Sequence, residues 1–250
     1  MRWLVKLPPN SVGNIFAFNV NVDGSLTSLA GSPFSAGTGL SHLAVIPSQA
    51  VANTTFLYAA NTGDPNGSIS AFTISPNGGL TAVPGSPFPT VSGGGPEGFY
   101  DGGKILYVAL KNANSVAAFS VSDDGSLSPV LGSPFSAGKG TSSLTGADGF
   151  LFATNSTDKS ISSYSIDALT GELTQVQGSP FPAASASGDA LYINGKLFVP
   201  DASSDNINGF LLNLSTGAVS SLGGSPYQAG SGPLAFTVAG PPAFDPPSSN

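Results

Sequence analysis

The chain has no cysteine, one histidine, one tryptophan and only 8% charged residues over its 250 positions. The lack of cysteine excludes disulfides, thiolate catalysis and zinc sites built from cysteine. No apolar run approaches the roughly 20 residues that cross a membrane as a helix, so no membrane span is expected. Seven Lys plus Arg against 14 Asp plus Glu give a net charge of −7. Nucleic acid needs a basic surface, so we expect no nucleic-acid partner.

The first residues also lack the features of a secretory leader. Met1 to Pro9 carries Arg2 and Lys6 but no apolar core of about 7–15 residues, so no signal peptide is expected. The low charge and the many Ser, Thr and Asn residues are typical of exported proteins. The sequence therefore leaves the compartment open.

Glycine and proline are abundant, with 33 and 21 residues, and they recur at a regular spacing. The tetrapeptide Gly-Ser-Pro-Phe, with Tyr for Phe in its last copy, occurs five times. Its copies start 54, 47, 46 and 46 residues apart. A period of about 40–50 residues with strand-like text between the marks predicts a β-propeller. The copies begin at Gly31, Gly85, Gly132, Gly178 and Gly224.

Each period contains four short runs rich in β-branched and aromatic residues, bounded by Gly, Pro, Asn or Asp. Such runs predict strands, and four antiparallel strands make one propeller blade. A Gly-containing turn joins the third run to the fourth and predicts a tight hairpin. These turns are Asp23-Gly24, Asn77-Gly78, Asp124-Gly125, Thr170-Gly171 and Thr216-Gly217.

The ends of the chain complete this strand count. Residues 3–34 supply three strands of a blade, and residues 233–238 supply a single first strand. The fold class is therefore predicted to be all-β, a propeller of five four-stranded antiparallel blades. Pairing of residues 234–238 with residues 3–7 would close the ring. We expect one domain over residues 1–239 and a disordered, proline-rich tail over residues 240–250.

The repeated tetrapeptide has a structural explanation. Proline cannot donate to a sheet, so it is expected where the outermost strand ends. The aromatic residue after it is expected to wedge between neighbouring blades, where burial of one ring contributes about 1.5–3 kcal/mol. These aromatic residues are Phe34, Phe88, Phe135, Phe181 and Tyr227.

One repeat unit carries a family resemblance. Leu57-Tyr58-Ala59-Ala60-Asn61, then residues 68–72 (SISAF), residues 79–81 (GLT) and residues 84–88 (PGSPF) resemble the repeat of the lactonase-type β-propeller family. That family includes 6-phosphogluconolactonase-like and carboxymuconate-cyclase-like proteins, and the resemblance extends over residues 3–239. It implies seven blades, so an open arc of five blades is the alternative to a closed ring. It also implies chemistry carried by His, Glu and Arg side chains around the axial cleft.

Candidate site residues follow from the propeller geometry. The start of the first strand opens on the same face as the loops between strands two and three, and the residues there differ between blades. His42, the only histidine, matches a family site position and could transfer protons; Glu97 could act as a base or orient a water. For each of them a structural role is the alternative. The binding candidates at this mouth are Asn61, Lys111, Asn112, Ser142, Asn155, Asp189 and Asp201.

Arginine marks a departure from the family. The only arginine is Arg2, and Lys111 is the one cationic substitute at the mouth, so a phosphorylated sugar lactone fits poorly. The first hypothesis is therefore a binding protein, or a catalytically degraded family member, that takes a small molecule or a partner at the axial mouth, with a lactone or carbohydrate-like molecule as the possible ligand. The alternatives are a lactone hydrolase using His42 and Glu97, and a purely structural repeat module. No cofactor and no metal are expected, and the chain is expected to be a monomer.

Overall fold

The structure, a computed structural model, describes residues 3–6, 13–49, 51–64, 66–91, 94–183 and 188–233. Strands, turns and loops make up this part of the chain, and no helix within it could cross a membrane. The strands form five antiparallel sheets in chain order. The all-β class predicted from the sequence is therefore confirmed.

The strand bounds follow the repeat. Sheet one contains β1 (Trp3–Lys6), β2 (Asn14–Val20), β3 (Leu26–Ser28) and β4 (Phe34–Ser35). Sheet two contains β5 (Leu40–Pro47), β6 (Thr55–Asn61), β7 (Ser68–Ile74), β8 (Leu80–Ala82) and β9 (Phe88–Pro89). Sheet three contains β10 (Pro96–Asp101), β11 (Ile105–Leu110), β12 (Ser115–Val121), β13 (Leu127–Pro129) and β14 (Phe135–Ser136). Sheet four contains β15 (Thr141–Ala147), β16 (Phe150–Asn155), β17 (Ser160–Ile166), β18 (Leu173–Gln175) and β19 (Phe181–Pro182). Sheet five contains β20 (Leu191–Ile193), β21 (Lys196–Asp201), β22 (Asn206–Leu212), β23 (Val219–Ser221) and β24 (Tyr227–Gln228).

Sheets two to five share one topology. Four strands pair in sequence, as in β5-β6-β7-β8, and a two-residue strand such as β9 pairs with the start of the third strand. Sheet one begins at β1, which pairs with β2, so it has the three predicted strands plus the two-residue β4. The closing strand predicted over residues 234–238, the end of its partner at Leu7 and the tail over residues 240–250 lie outside the described residues.

The Gly-Ser-Pro-Phe motif joins the fourth strand to the two-residue strand. In sheet three, Gly132 has a φ of +79°, which suits glycine, and the bond from Ser133 to Pro134 is cis. The Ser133 hydroxyl accepts a hydrogen bond of 2.9 Å from the Ala118 amide in β12. The same serine-to-strand bond occurs in all five sheets, so the motif ties each outer edge to its third strand.

The apolar core lies between successive sheets. Ile15 of sheet one packs with Leu57 and Phe72 of sheet two, and the ring of Phe34 packs against this cluster. The next three interfaces have corresponding clusters, which include Phe88, Phe135 and Phe181. The wedge predicted from the motif is confirmed at these four interfaces. Tyr227 of the last copy is 37% exposed.

The hairpin turns of sheets three and four also touch the preceding sheet. A Cβ placed on Gly125 would lie 2.5 Å from the Phe56 ring, and the Tyr58 hydroxyl donates to the Gly125 carbonyl at 2.9 Å. The Tyr107 hydroxyl donates to the Gly171 carbonyl in the same way, also at 2.9 Å. A Cβ on Gly24 of sheet one would meet no heavy atom of a described residue within 4 Å. The contact between successive sheets is therefore not repeated at this turn.

Candidate functional site

A β-bulge lies near the start of the first strand in sheets two, three and four. Ser41, Glu97 and Ser142 are the extra residues at the three bulges. A bulge re-aims the side chains around it, so the three bulges bring polar side chains to one end of the sheets. The register shifts between Leu40 and His42, between Pro96 and Gly98, and between Thr141 and Ser143.

The bulges of sheets two and three are in direct contact. The Ser41 hydroxyl donates a hydrogen bond of 2.7 Å to the Pro96 carbonyl, next to Glu97. The half-buried His42 ring meets the Phe99 ring edge-on, with 6.0 Å between the ring centroids. His42 therefore packs across the sheet interface beside the bulge of the neighbouring sheet.

Glu97 and Lys111 form an ion pair at this end of sheet three. The Lys111 Nζ lies 3.1 Å from both carboxylate oxygens of Glu97, and the two side chains are 42% and 30% exposed. Glu97 comes from the bulge in β10, and Lys111 directly follows β11. An anionic ligand of Lys111 must therefore compete with the Glu97 carboxylate.

Asn61 and Asn155 are fully buried within their own sheets. The Asn61 amide donates to the hydroxyls of Ser68 and Ser70 at 2.9 and 3.0 Å. Asn155 makes the equivalent bonds to two serines of β17, at 3.0 and 2.9 Å. These contacts give both asparagines a structural role, and a ligand could reach their amide groups only after the bonds opened.

The other candidates are divided between buried and exposed positions. Asp201 is only 3% exposed and accepts hydrogen bonds from Ser203 and Ser204. Asn112 and Asp189 are exposed, and Ser142 is half-buried. Ser41 thus contacts the Pro96 carbonyl next to the Glu97–Lys111 pair, and His42 contacts Phe99 of the same strand. Asn61, Asn155 and Asp201 lie inside separate sheets. We call the surface formed by Ser41, His42, Glu97 and Lys111 the axial mouth.

The described residues contain no group of three or more His, Asp or Glu side chains placed to hold a metal ion. Sequence reasoning missed the Ser41–Pro96 bond and the packing of His42 on Phe99. Both connect different sheets, and the spacing of residues within one repeat carries no signal for such contacts.

The fold and the repeat define a protein of the β-propeller class. A family model described as a lactonase, 7-bladed beta-propeller, matches residues 99–187. A search of curated proteins found no match. The match covers less than half of the chain, and it supports the family resemblance drawn from the repeat.

Solved structures extend the likeness of the fold to most of the chain. A putative 6-phosphogluconolactonase from Bacteroides uniformis is 18% identical with a TM-score of 0.79, covering 94% of this chain and 70% of that one. A second putative 6-phosphogluconolactonase, from Bacteroides fragilis, is 19% identical with a TM-score of 0.74, covering 88% and 66%. The periplasmic gluconolactonase of Pseudomonas aeruginosa is 19% identical with a TM-score of 0.74, covering 93% and 68%.

These matches confirm the resemblance to the lactonase-type β-propeller family. The chain spans about two thirds of the length of these structural neighbours. The five described sheets are likewise fewer than the seven blades of the family description.

Proposed function

We propose that the chain binds a small hydroxylated or carboxylated molecule, of the lactone or carbohydrate-like class, at the axial mouth, without efficient catalysis. The observation that carries this proposal is the half-exposed pair of Glu97 and Lys111 at the bulge of β10. A carboxylate and an ammonium group side by side offer a strong acceptor and a strong donor to one ligand. The chain is proposed to act as a monomer.

The charges of Glu97 and Lys111 determine which ligands we expect to bind best. A neutral hydroxylated ligand can donate to Glu97 and accept from Lys111, whereas a carboxylate must displace Glu97 from the ammonium group. A phosphate group is best held by bidentate arginine, and the only arginine is Arg2. We therefore expect uncharged lactones and sugar acids to bind better than their phosphorylated forms.

Calorimetric titration with gluconolactone, gluconate and 6-phosphogluconate tests this proposal. Replacing Lys111 with Met should weaken the binding of gluconate about 10–100-fold, because a hydrogen bond to a charged group contributes about 1.5–3 kcal/mol. Lys139→Met is the matched control, since Lys139 is exposed on another loop and should leave the affinity unchanged. Equal affinities for the wild type and Lys111→Met, or no binding of any of the three compounds, would contradict the proposal.

Lactone hydrolysis is the second candidate, supported by the family match and by the packing of His42 against Phe99, two residues from Glu97. In this mechanism His42 accepts a proton from a water whose oxygen bonds to the lactone carbonyl carbon. The ring C–O bond then breaks, and the ring oxygen takes the proton back from His42. Glu97 would orient the water, and Lys111 would hold a substrate anion.

The rate of lactone ring opening tests this second candidate. Removal of a general base typically lowers a rate by about 10²–10⁴-fold, so His42→Ala should do the same while leaving the fold intact. Equal rates for the wild type and His42→Ala would remove His42 from the mechanism.

A further inference from the structure

A groove separate from the axial mouth lies between the outer edges of sheets one and two. It encloses about 230 Å³ and is partly open to solvent. Ser35 and Ala36 line one side, and Phe72, Ala82 and Pro87 line the other.

The equivalent place between sheets three and four carries two larger polar side chains, the buried Tyr164 and the exposed Gln175. Tyr164 stands where sheet two has Phe72, and its hydroxyl donates to the Ser136 carbonyl at 2.5 Å. Gln175, paired with Tyr164, stands where sheet two has Ala82, and its amide donates to Ser179 at 3.3 Å. Sheet two lacks both this phenol hydroxyl and this amide at the groove.

The interface between sheets two and three carries apolar residues at two of these positions. Phe119 pairs with Pro129, which takes the place of Ala82, and Val91 packs into the core at the position of Gly37. The equivalent place between sheets four and five borders residues 184–187, which lie outside the described residues.

The groove presents the Ser35 carbonyl, whose equivalent between sheets three and four accepts a hydrogen bond, and the Ser86 hydroxyl. Ala36 donates to the Gly13 carbonyl at 2.6 Å, so the pairing of β4 with β2 turns the Ser35 carbonyl away from β2. No side chain among the described residues donates to it, whereas the equivalent Ser136 carbonyl accepts from Tyr164. The Ser86 hydroxyl accepts from the Ala71 amide at 2.9 Å and keeps its own proton to donate.

We propose that this groove binds a small, neutral, polyhydroxylated molecule. One ligand hydroxyl donates to the Ser35 carbonyl, as the Tyr164 hydroxyl does to Ser136, and a second accepts from Ser86. The C–H face of the ligand packs on Phe72, Ala82 and Pro87. None of the described residues that line the groove is charged, so burial of an ion there would be costly. The volume is below the roughly 300–1,000 Å³ of sites for drug-sized ligands, which limits the occupant to about one sugar ring.

Amide NMR titration with glycerol and methyl β-D-xylopyranoside tests the proposal on three forms of the full chain. The wild type should show saturable shifts at Ser35, Ala36 and Ala82. The double variant Phe72→Tyr/Ala82→Gln places the side chains of sheet four in the groove. In this filled variant the shifts should disappear or saturate only at concentrations at least tenfold higher. The double variant Tyr164→Phe/Gln175→Ala should open a second groove and gain saturable shifts at Ser136 and Ala137.

Lys111→Met separates this groove from the axial mouth, because it should leave the shifts at Ser35 and Ala36 unchanged whether or not the mouth binds a ligand. Several results would overturn the proposal. They are the absence of saturable shifts in the wild type, undiminished shifts in the filled variant, and shifts spread evenly over the surface as in non-specific solvation. If the opened variant does not fold, the filled variant alone decides.

Discussion

At the scale of single residues, side-chain hydrogen bonds between the second and third strands differ from sheet to sheet. The differences explain why two buried side-chain oxygens lack a partner among the described residues. In sheet four the Asn155 amide binds two serines of β17, and its carbonyl accepts from Thr141 at 3.1 Å. In sheet two Leu40 occupies the position of Thr141, so the Asn61 carbonyl oxygen has no partner among the described residues. In sheet three Leu110 replaces the asparagine, and no described residue bonds to the Ser115 hydroxyl.

The Ser115 hydroxyl, which is buried without a partner in the described part of the chain, predicts an unusual stability result. Ser115→Ala should leave the free energy of unfolding unchanged or raise it by up to about 1 kcal/mol, because a buried unpaired hydroxyl is replaced by an apolar group. Ser160→Ala at the equivalent position of sheet four should cost about 1–3 kcal/mol, because it leaves the Asn155 amide without one partner. Urea unfolding measures both values, and equal losses for the two variants would contradict this interpretation.

Buried tyrosines predict a loss of stability in alkali. Burial raises the pKa of Tyr107 and of Tyr164 to about 12, from an ordinary value of 10.0. Above pH 10.0 the unfolded chain releases these protons while the folded chain keeps them, so the free energy of unfolding falls as the pH rises towards about 12. Tyr107→Phe should cost about 1 kcal/mol at neutral pH through the lost bond to Gly171, and should reduce the alkaline loss. If the free energy of unfolding of Tyr107→Phe falls between neutral pH and pH 11 as steeply as that of the wild type, this explanation is wrong.

At the scale of elements, the Gly-Ser-Pro-Phe motif holds each outer edge to its third strand. Ser133→Ala should lower the free energy of unfolding by about 1–3 kcal/mol, because the Ala118 amide loses its acceptor. Ser128→Ala is the control, since Ser128 is exposed on β13 and its side chain makes no bond to a described residue. Urea midpoints compare the two variants, and similar small effects would mean that the motif serines do not stabilise the sheets.

The strands of each sheet could be predicted from the sequence because turn residues separate the apolar runs. The two-residue strand after each motif, such as β9, was missed, because two residues are too short to show any periodicity. The bulges at Ser41 and Glu97 were also missed. Buried and exposed positions do not alternate strictly along these first strands, so an extra residue leaves no trace in the sequence pattern.

The candidate site was predictable only in part. The propeller geometry predicted that Glu97 and Lys111 lie at the same end of one sheet, because the repeat fixes where each strand starts and ends. It did not distinguish these half-exposed side chains from Asn61 and Asn155, which occupy comparable strand ends but bind serines of their own sheets. Whether a side chain at the end of the second strand is buried depends on the residues that the third strand places opposite it.

At the scale of the whole molecule, the turn glycines test how the five sheets are arranged. Gly24 and Gly125 have nearly equal φ angles of +83° and +85°, so an alanine should cause similar backbone strain of about 1–2 kcal/mol at both. Gly125→Ala should cost about 1–3 kcal/mol more, because its Cβ meets Phe56, whereas Gly24→Ala meets no described neighbour. Thermal or urea unfolding measures the difference. Equal losses would show that the turn of sheet one packs on another sheet, as a closed five-bladed ring requires.

Amide NMR during the addition of an uncharged sugar lactone tests ligand binding at the axial mouth, because it reports binding and ring opening together. We expect saturable shifts at Glu97, Gly98 and Lys111, while the lactone opens at the rate measured without protein. Lys111→Met should weaken these shifts, and Lys139→Met should not. The absence of shifts at these three residues at any lactone concentration would contradict binding at the axial mouth. Ring opening that is faster with the protein, and slowed by His42→Ala, would contradict the absence of catalysis.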